Sequence, residues 1–277
     1  MDVKAVILNI IVQLAYFVGV VFLFGYIISV INKQFYKFVG RGRGVCYVTG
    51  LIGTPIHEIS HALMCVLFMH KIDEIRLFRV DKESGTLGYV KHSFNQKSIY
   101  QQLGNYFIGT APIIVGTLII FLFAWLMIPD AFDEINIYIN DFARAQAEGF
   151  DINLFSEAFS SIVGIVGAVF SRIDQGFIWW GFMIIAMCIA LHMNLSSLDI
   201  KGSLKALPIL VVIITVLNFI LSYVFSDAYS HYVSFMNTAG QYLAAALLLS
   251  LVLSLVSFAI AFLIRLILWI PSRFFRI

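Results

Sequence analysis

Long apolar runs recur along the whole chain, and their lengths predict membrane-spanning helices. About 20 residues of α-helix cross the hydrocarbon core of a bilayer, so apolar runs of 18 residues or more are typical of transmembrane helices. Six such helices are predicted, at about 5–31, 45–69, 103–128, 176–198, 206–225 and 241–270. The pattern therefore predicts an all-α polytopic membrane protein.

A polar interruption between the second and third predicted helices has the pattern of a β-hairpin. Two β-prone runs, 75–80 and 86–94, flank the turn-forming residues Asp-Lys-Glu-Ser-Gly. Alternating β-prone residues on either side of such a turn are typical of paired strands. We expect a small hairpin here within an otherwise helical protein.

A second polar interruption follows the third predicted helix. Residues 129–157 are acidic, and Arg144 is their only basic residue, so we expect a loop. The next stretch, 152–172, has two interpretations: a helix lying at the membrane interface, or a short additional span. Its serines and glycines favour the interfacial helix.

The composition supports a membrane protein and excludes several other classes. Hydrophobic residues make up 61% of the 277 residues and charged residues only 12%, about half the charged fraction of a typical soluble domain. The net charge of +2 and the lack of a Lys/Arg block argue against nucleic-acid binding. The three cysteines lie in apolar segments without CxxC spacing, which indicates packing rather than metal binding.

The distribution of Lys and Arg predicts how the protein is oriented in the inner or plasma membrane of the cell. Basic residues in the hairpin, after the fourth span and at the C-terminus place all three on the cytoplasmic side, with both termini inside. The first apolar run lacks a small-residue cleavage site, so we expect it to remain as a helix. The basic loop 32–44 conflicts with this orientation, because it would lie outside.

The second predicted helix carries the residues with the clearest chemistry. In the sequence His-Glu-Ile-Ser-His, His57 and His61 lie one helical turn apart, and two imidazoles at this spacing can bind one zinc ion. Glu58 lies on the neighbouring face and is placed to act as a general base on a water. Ionisable residues inside a span are costly, which favours a functional role over a buried His–Glu hydrogen-bond cluster.

A catalytic zinc ion usually has three protein ligands and one open position, so a further ligand is expected. Asp199, at the end of the fourth predicted span, is our first choice. His192, seven residues earlier on the same predicted helix, and His92 in the hairpin are the alternatives. Asp199 could also be an ordinary helix-terminal residue, and His192 could orient a ligand instead of binding metal.

Residues 45–205 resemble the site-2 proteases, the intramembrane zinc metalloproteases. The motif His57-Glu58-Ile-Ser-His61 matches the first motif of that family, and 108–116, with Pro112, is similar to its Gly-Pro segment. Residues 194–199 correspond to its Asn-Pro…Asp-Gly segment, although no proline lies between Asn194 and Asp199 and Ile200 stands in place of the glycine.

The resemblance implies a zinc ligand at Asp199 and a role for the hairpin. It implies one zinc ion per chain on His57, His61 and Asp199, and substrate capture by strand addition to the hairpin. In that scheme Gly88 and Val90 mark the edge that would pair with an unwound membrane-protein substrate. Asn194, His192 and Pro112 are candidates for residues that support the metal ligands or contact substrate.

We expect an intramembrane zinc metalloprotease with three parts: an N-terminal helix and basic loop (1–44), a protease core (45–205) and two C-terminal helices (206–277). Its site is expected toward the cytoplasmic side of the membrane. Two other classes remain open. An ion-binding transporter would show inverted halves with paired broken helices, and a pseudoprotease that only binds clients would not need Glu58.

Overall fold

The computed structural model describes residues 3–39, 44–80, 86–148 and 152–274, and these form nine α-helices and two strands. The helices are α1 (Val3–Leu14), α2 (Val21–Phe38), α3 (Gly44–Leu67), α4 (Ile99–Met127), α5 (Pro129–Glu148), α6 (Ile152–Phe170), α7 (Phe177–His192), α8 (Ser197–Val224) and α9 (Ser226–Phe274). A π-helical turn, Ala15–Val20, joins α1 to α2, and a 3-10 turn, Ser171–Gln175, follows α6. The strands are β1 (Lys71–Arg76) and β2 (Tyr89–Ser93).

Five helical segments of the described chain are long and apolar enough to cross a membrane, which confirms an all-α polytopic fold. They are Val3–Phe38, Ile99–Met127, Ser156–Gln175, Ser197–Val224 and Ser226–Ile267. Two predicted spans, 45–69 and 176–198, form helices but are not among these five, and α7 has only 16 residues. Segment Ser156–Gln175, which overlaps the stretch 152–172 that we expected at the interface, is long and apolar enough for a span.

The predicted acidic loop is instead a helix that pairs with α6. The side chain of Tyr138 in α5 packs against Gly164, and Ser161 donates a hydrogen bond to the Tyr138 carbonyl at 3.2 Å. Arg172 forms a 2.9 Å ion pair with Glu134. The earlier residue of α5, Glu134, contacts the later residue, Arg172, so α5 and α6 are antiparallel. The pair returns the chain to the end where α4 finishes.

The hairpin is confirmed, although its first strand begins at Lys71, four residues before the predicted run. The strands are antiparallel, with Ile75 opposite Val90 and a bulge between Ile72 and Glu74. The predicted turn, 81–85, lies outside the described residues.

Helix α8 differs from the predicted boundaries. It is one helix from Ser197 to Val224, so the expected boundary at 205/206 falls inside it. Helix α7 ends at His192, and Asp199 lies in the first turn of α8 rather than at the end of the fourth span. Asp199 and His192 therefore lie on two different helices, whereas the sequence predicted them on one.

The first and last helices run in the same direction. Asn9 bonds to the Tyr229 hydroxyl at 3.1 Å, and further along both helices Arg265 donates to the Phe38 carbonyl at 2.7 Å. Residues near the start of α1 and near the end of α9 therefore lie at opposite ends of the bundle, whereas the predicted topology has both termini at one end. Lys37 lies at the same end of the bundle as Arg265.

The main hydrophobic core lies among α4, α7 and α9. Its fully buried members include Ile113, Ile120, Phe182, Ile189, Leu247 and Leu253. Helix α3 packs against α4 and α7 beside this core, which brings its polar residues to the ends of both helices.

Candidate metal centre

Glycines on α3 and α4 allow the site-bearing helices to approach closely. A Cβ atom on Gly53 would overlap the Cys188 carbonyl oxygen and the ring of His192, so α3 and α7 meet at this point without a side chain between them. A Cβ on Gly109 would overlap the Asp199 carbonyl oxygen and place α4 and α8 farther apart. The helices that carry the candidate ligands are therefore positioned by direct backbone contact.

Both motif histidines are oriented by backbone carbonyls. The Nδ1 atom of His57 lies 2.7 Å from the His192 carbonyl oxygen, and that of His61 lies 2.8 Å from the Ile108 carbonyl oxygen. A carbonyl only accepts, so each Nδ1 carries the proton and each Nε2 has a free lone pair. Metal-binding histidines commonly donate their other ring N–H in this way, which fixes the ring orientation.

The two unprotonated nitrogens face each other. The Nε2 atoms of His57 and His61 are 3.3 Å apart. With both Nδ1 atoms protonated, neither Nε2 can donate to the other, so the pair has no hydrogen bond to explain the approach. Two nitrogens bound tetrahedrally to one zinc ion at ~2.0–2.1 Å would be about 3.3–3.4 Å apart. The observed spacing fits shared coordination of a cation.

Asp199 combines a structural and a candidate ligand role through its two oxygens. Its Oδ2 accepts from the Ser196 N–H at 2.8 Å, while the Ser196 hydroxyl accepts from the Asp199 N–H at 3.1 Å. This capping box satisfies the first turn of α8 and orients the carboxylate. The other oxygen, Oδ1, lies 3.8 Å from His61 Nε2.

The set of ligands is only partly assembled. Across residues 3–39, 44–80, 86–148 and 152–274, no group of three His, Cys, Asp or Glu side chains is arranged to hold a metal ion. The separation between Asp199 and His61 exceeds the ~3.3 Å expected for two atoms on one tetrahedral zinc ion. The structure thus brings two histidines to ligand spacing and leaves the carboxylate outside that spacing, 3.8 Å from His61 Nε2 and farther from His57.

His192 contributes its backbone to the site, while its ring points into a cluster of hydroxyls. Its Nε2 lies 3.0 Å from the Tyr36 hydroxyl and 3.1 Å from that of Thr49, and its Nδ1 lies 3.3 Å from Thr54 Oγ1. Both ring nitrogens already have partners, which disfavours His192 as a metal ligand. The sequence did not single out these three hydroxyl residues. Their contacts with the buried His192 ring explain why polar side chains occur in these apolar helices.

His92, the other alternative ligand, pairs with His70 on the hairpin side of the site. Their Nδ1 atoms are 3.0 Å apart, and His70 Nε2 donates to the Gln101 carbonyl at 2.7 Å. Burial lowers the pKa of His92 below its usual value, so its neutral form is favoured. The sequence reasoning missed His70 because it follows the end of α3 and has no motif spacing to either metal candidate.

The hairpin passes directly over Glu58. A Cβ atom on Gly88 would lie 2.8 Å from Glu58 Cγ and 2.9 Å from Thr54 Cγ2. Glu58 is only 6% exposed, and its carboxylate has no hydrogen-bond partner among the described residues. Val90 is half-buried on the paired strand two residues later. The predicted edge segment therefore lies against the candidate base.

Asn194 and Pro112 also lie beside the histidines. The Asn194 N–H donates to the His192 carbonyl at 2.9 Å, so this oxygen accepts from both Asn194 and His57. Within the described chain, Asn194 Oδ1 is buried without a partner, while its Nδ2 donates to the Leu191 carbonyl at 3.1 Å. Pro112, inside α4, lines a small gap with His57 and His192.

Comparison with known proteins found no relative of this chain. No protein-family model matches the chain, and no curated protein or solved structure matches it either.

Proposed function

We propose that the protein is an intramembrane zinc metalloprotease that hydrolyses peptide bonds of membrane-associated proteins within or near the bilayer. The observation that carries this proposal is the pair of Nε2 atoms, 3.3 Å apart and both fixed by carbonyls at Nδ1. His57 and His61 would hold one zinc ion per chain, with Asp199 Oδ1 as the third ligand. Oδ1 lies 3.8 Å from His61 Nε2, so it would move about 0.5 Å closer to that nitrogen to reach the ~3.3 Å of tetrahedral coordination.

The proposed chemistry divides between the metal and Glu58. When bound, zinc supplies Lewis acidity that polarises a carbonyl and acidifies water. Glu58 takes a proton from the attacking water onto its carboxylate and later donates it to the leaving amide nitrogen. Its burial under Gly88, without a competing hydrogen bond among the described residues, keeps the carboxylate available for this transfer.

The hairpin supports a proposed route for substrate binding. A transmembrane helix hides its peptide bonds, so a substrate must unwind before water can attack. A two-stranded sheet leaves unpaired backbone groups along its outer edges, and an extended substrate segment can pair with such an edge. The approach of Gly88 to Glu58 would place a paired strand beside the base.

The depth of the site agrees with cleavage inside the bilayer. Thirteen residues separate Gly44 from His57, which corresponds to about 20 Å of helix at ~1.5 Å per residue. The hairpin follows the other end of α3, and its basic residues make that end the proposed cytoplasmic side, from which substrate would enter, by the positive-inside rule.

Metal analysis of the purified full-length protein tests the proposal. We expect about one zinc ion per chain, with loss of zinc in His57→Ala and His61→Ala. His231→Ala is the matched control, because this exposed histidine on α9 should leave zinc unchanged. Glu58→Gln should keep zinc and lose cleavage of a panel of fluorogenic transmembrane peptides. Zinc retention after loss of either motif histidine, or full cleavage by Glu58→Gln, would refute the assignment.

A further inference from the structure

A large apolar cavity opens between helices α2, α3, α7 and α9, away from the histidine pair. Its volume is about 700 Å³, and the residues lining it include Phe35, Phe38, Val48, Met187, Leu191 and Ile260. This volume lies within the ~300–1,000 Å³ that small-molecule pockets commonly have. An apolar cavity of this size among membrane helices is suited to hydrocarbon.

A cation without an acidic partner lies at the edge of this cavity. Arg265 is exposed and donates from Nη1 to the Phe38 carbonyl at 2.7 Å, and its guanidinium lies 4.6 Å from the centre of the Phe38 ring. No Asp or Glu of the described chain forms an ion pair with it. The guanidinium has five N–H groups, so several donors remain for an anion.

Other basic residues lie at the same end of the helices. Lys33 and Lys37 are exposed on the last turns of α2, and neither forms an ion pair with a described residue. Arg and Lys near the end of a transmembrane helix lie at the depth of the lipid head groups. Among these basic residues, Arg265 lines the apolar cavity, and no counter-charge of the described chain pairs with it.

We propose that this cavity binds one anionic phospholipid, with an acyl chain among α2, α3, α7 and α9 and the phosphate at Arg265. Basic pockets between transmembrane helices bind anionic head groups by this combination of hydrocarbon contact and charge. The proposal does not depend on zinc or on proteolysis, because none of the candidate metal ligands lines the cavity.

A substrate helix is a poorer fit than a lipid chain. A helix with its side chains is about 10 Å in diameter and has a cross-section of about 80 Å², so 700 Å³ accommodates about 9 Å of it, or about six residues. A transmembrane helix needs about 20 residues to cross the bilayer. A thin acyl chain can occupy the same volume over a longer path.

Photo-crosslinking of the purified full-length protein in nanodiscs tests the lipid site. The probe is a phosphatidylglycerol analogue with a diazirine in its acyl chain, compared with the phosphatidylcholine analogue of the same chain. We expect phosphatidylglycerol to label peptides of α3, α7 and α9 that line the cavity, about fivefold more than phosphatidylcholine, the factor typical of one basic residue near an anionic lipid surface.

Two variants separate the charge from the cavity. Arg265→Gln should abolish the preference for phosphatidylglycerol, and Arg265→Lys should restore it in part. Ala261→Trp, which places an indole in the cavity, should reduce labelling of the lining peptides by both lipids. Val212→Trp is the control, because Val212 is 59% exposed on α8 and should change nothing. Size-exclusion profiles and thermal unfolding of every variant verify folding.

Several outcomes would overturn the proposal. Equal labelling by both lipids in the unmodified protein would show that Arg265 does not select an anion. Undiminished labelling in Ala261→Trp would show that the chain lies elsewhere. Displacement of the probe by inorganic phosphate alone would show a phosphate site that needs no acyl chain. Competition by a transmembrane peptide but not by phosphatidylglycerol would assign the cavity to a protein helix.

Discussion

Gly109→Ala tests whether the spacing between α4 and α8 sets the geometry of the candidate metal centre. The added Cβ would lie 3.1 Å from the Asp199 carbonyl carbon and closer to its oxygen, and it would overlap Ser203 Oγ. Ordinary contacts start near 3.4 Å. Helix α8 must therefore move away, and a shift above ~0.5 Å exceeds the tolerance of a preorganised site. Asp199 would lie still farther from His61.

The expected effects on folding and on zinc binding differ in size. Overpacking costs ~1–3 kcal/mol, and replacing a helical glycine by alanine returns about 1 kcal/mol, so apo stability should fall by about 0–2 kcal/mol. Loss of one well-placed ligand should weaken zinc binding by more than the ~10–100-fold seen for residues that merely support a ligand. Tenfold corresponds to ~1.4 kcal/mol, so the loss in zinc binding should exceed the loss in stability.

Competition with a zinc-binding dye in detergent measures this affinity, and thermal unfolding of the apo protein measures stability. Gly202→Ala, on α8, is the matched control, because no atom lies within 4 Å of its added Cβ. It should keep zinc affinity and gain up to ~1 kcal/mol. Unchanged zinc affinity in Gly109→Ala, with α8 still folded, would refute the assignment of Asp199 to the metal centre.

Three further predictions follow from the ligand set and the hairpin. Asp199→Ala should weaken zinc binding as much as loss of a motif histidine, while His192→Ala should lower zinc affinity by only ~10–100-fold. The reverse order in a zinc titration would make His192 the ligand. Val90→Pro should abolish peptide cleavage and keep zinc, because proline removes a backbone donor. Val90→Ala should reduce cleavage only slightly. Wild-type turnover by the proline variant would mean that the hairpin covers the site without binding substrate. Hydrogen bonds from the Tyr89 hydroxyl and Lys91 hold the pKa of Glu74 at about 2. The stability that the ionised Glu74 carboxylate gives the hairpin is therefore fully present above pH 4.5 and is lost as pH falls toward 2. Tyr89→Phe should raise this pKa in a carboxyl NMR titration, and an unchanged midpoint would contradict the contact.

Much of the fold and part of the site could be predicted from the sequence because the signals are local. Hydrophobic run lengths indicate membrane helices, and the turn residues between β-prone runs indicate the hairpin. Glu58 is one residue from His57, and His61 is one helical turn away, so helix geometry alone brings the two imidazoles together. Nothing beyond the backbone period was needed for that part of the centre.

The rest depends on contacts between residues far apart in sequence. The many acidic residues of α5 predicted a loop. Its apolar face stabilises a helix only because α6 packs against it. The direction of α9 relative to α2 depends on how many of the intervening segments cross the membrane, and the sequence left the stretch 152–172 with two interpretations.

The sequence by itself determined a polytopic helical protein with a hairpin and two histidines one turn apart. The tertiary structure decided the tautomers, because the carbonyls that accept from His57 and His61 belong to α7 and α4. It also decided that Asp199 begins a helix rather than ending one, and that Gly88 lies over Glu58. These features depend on close backbone approaches at glycines, and a single sequence does not show which helices will meet there.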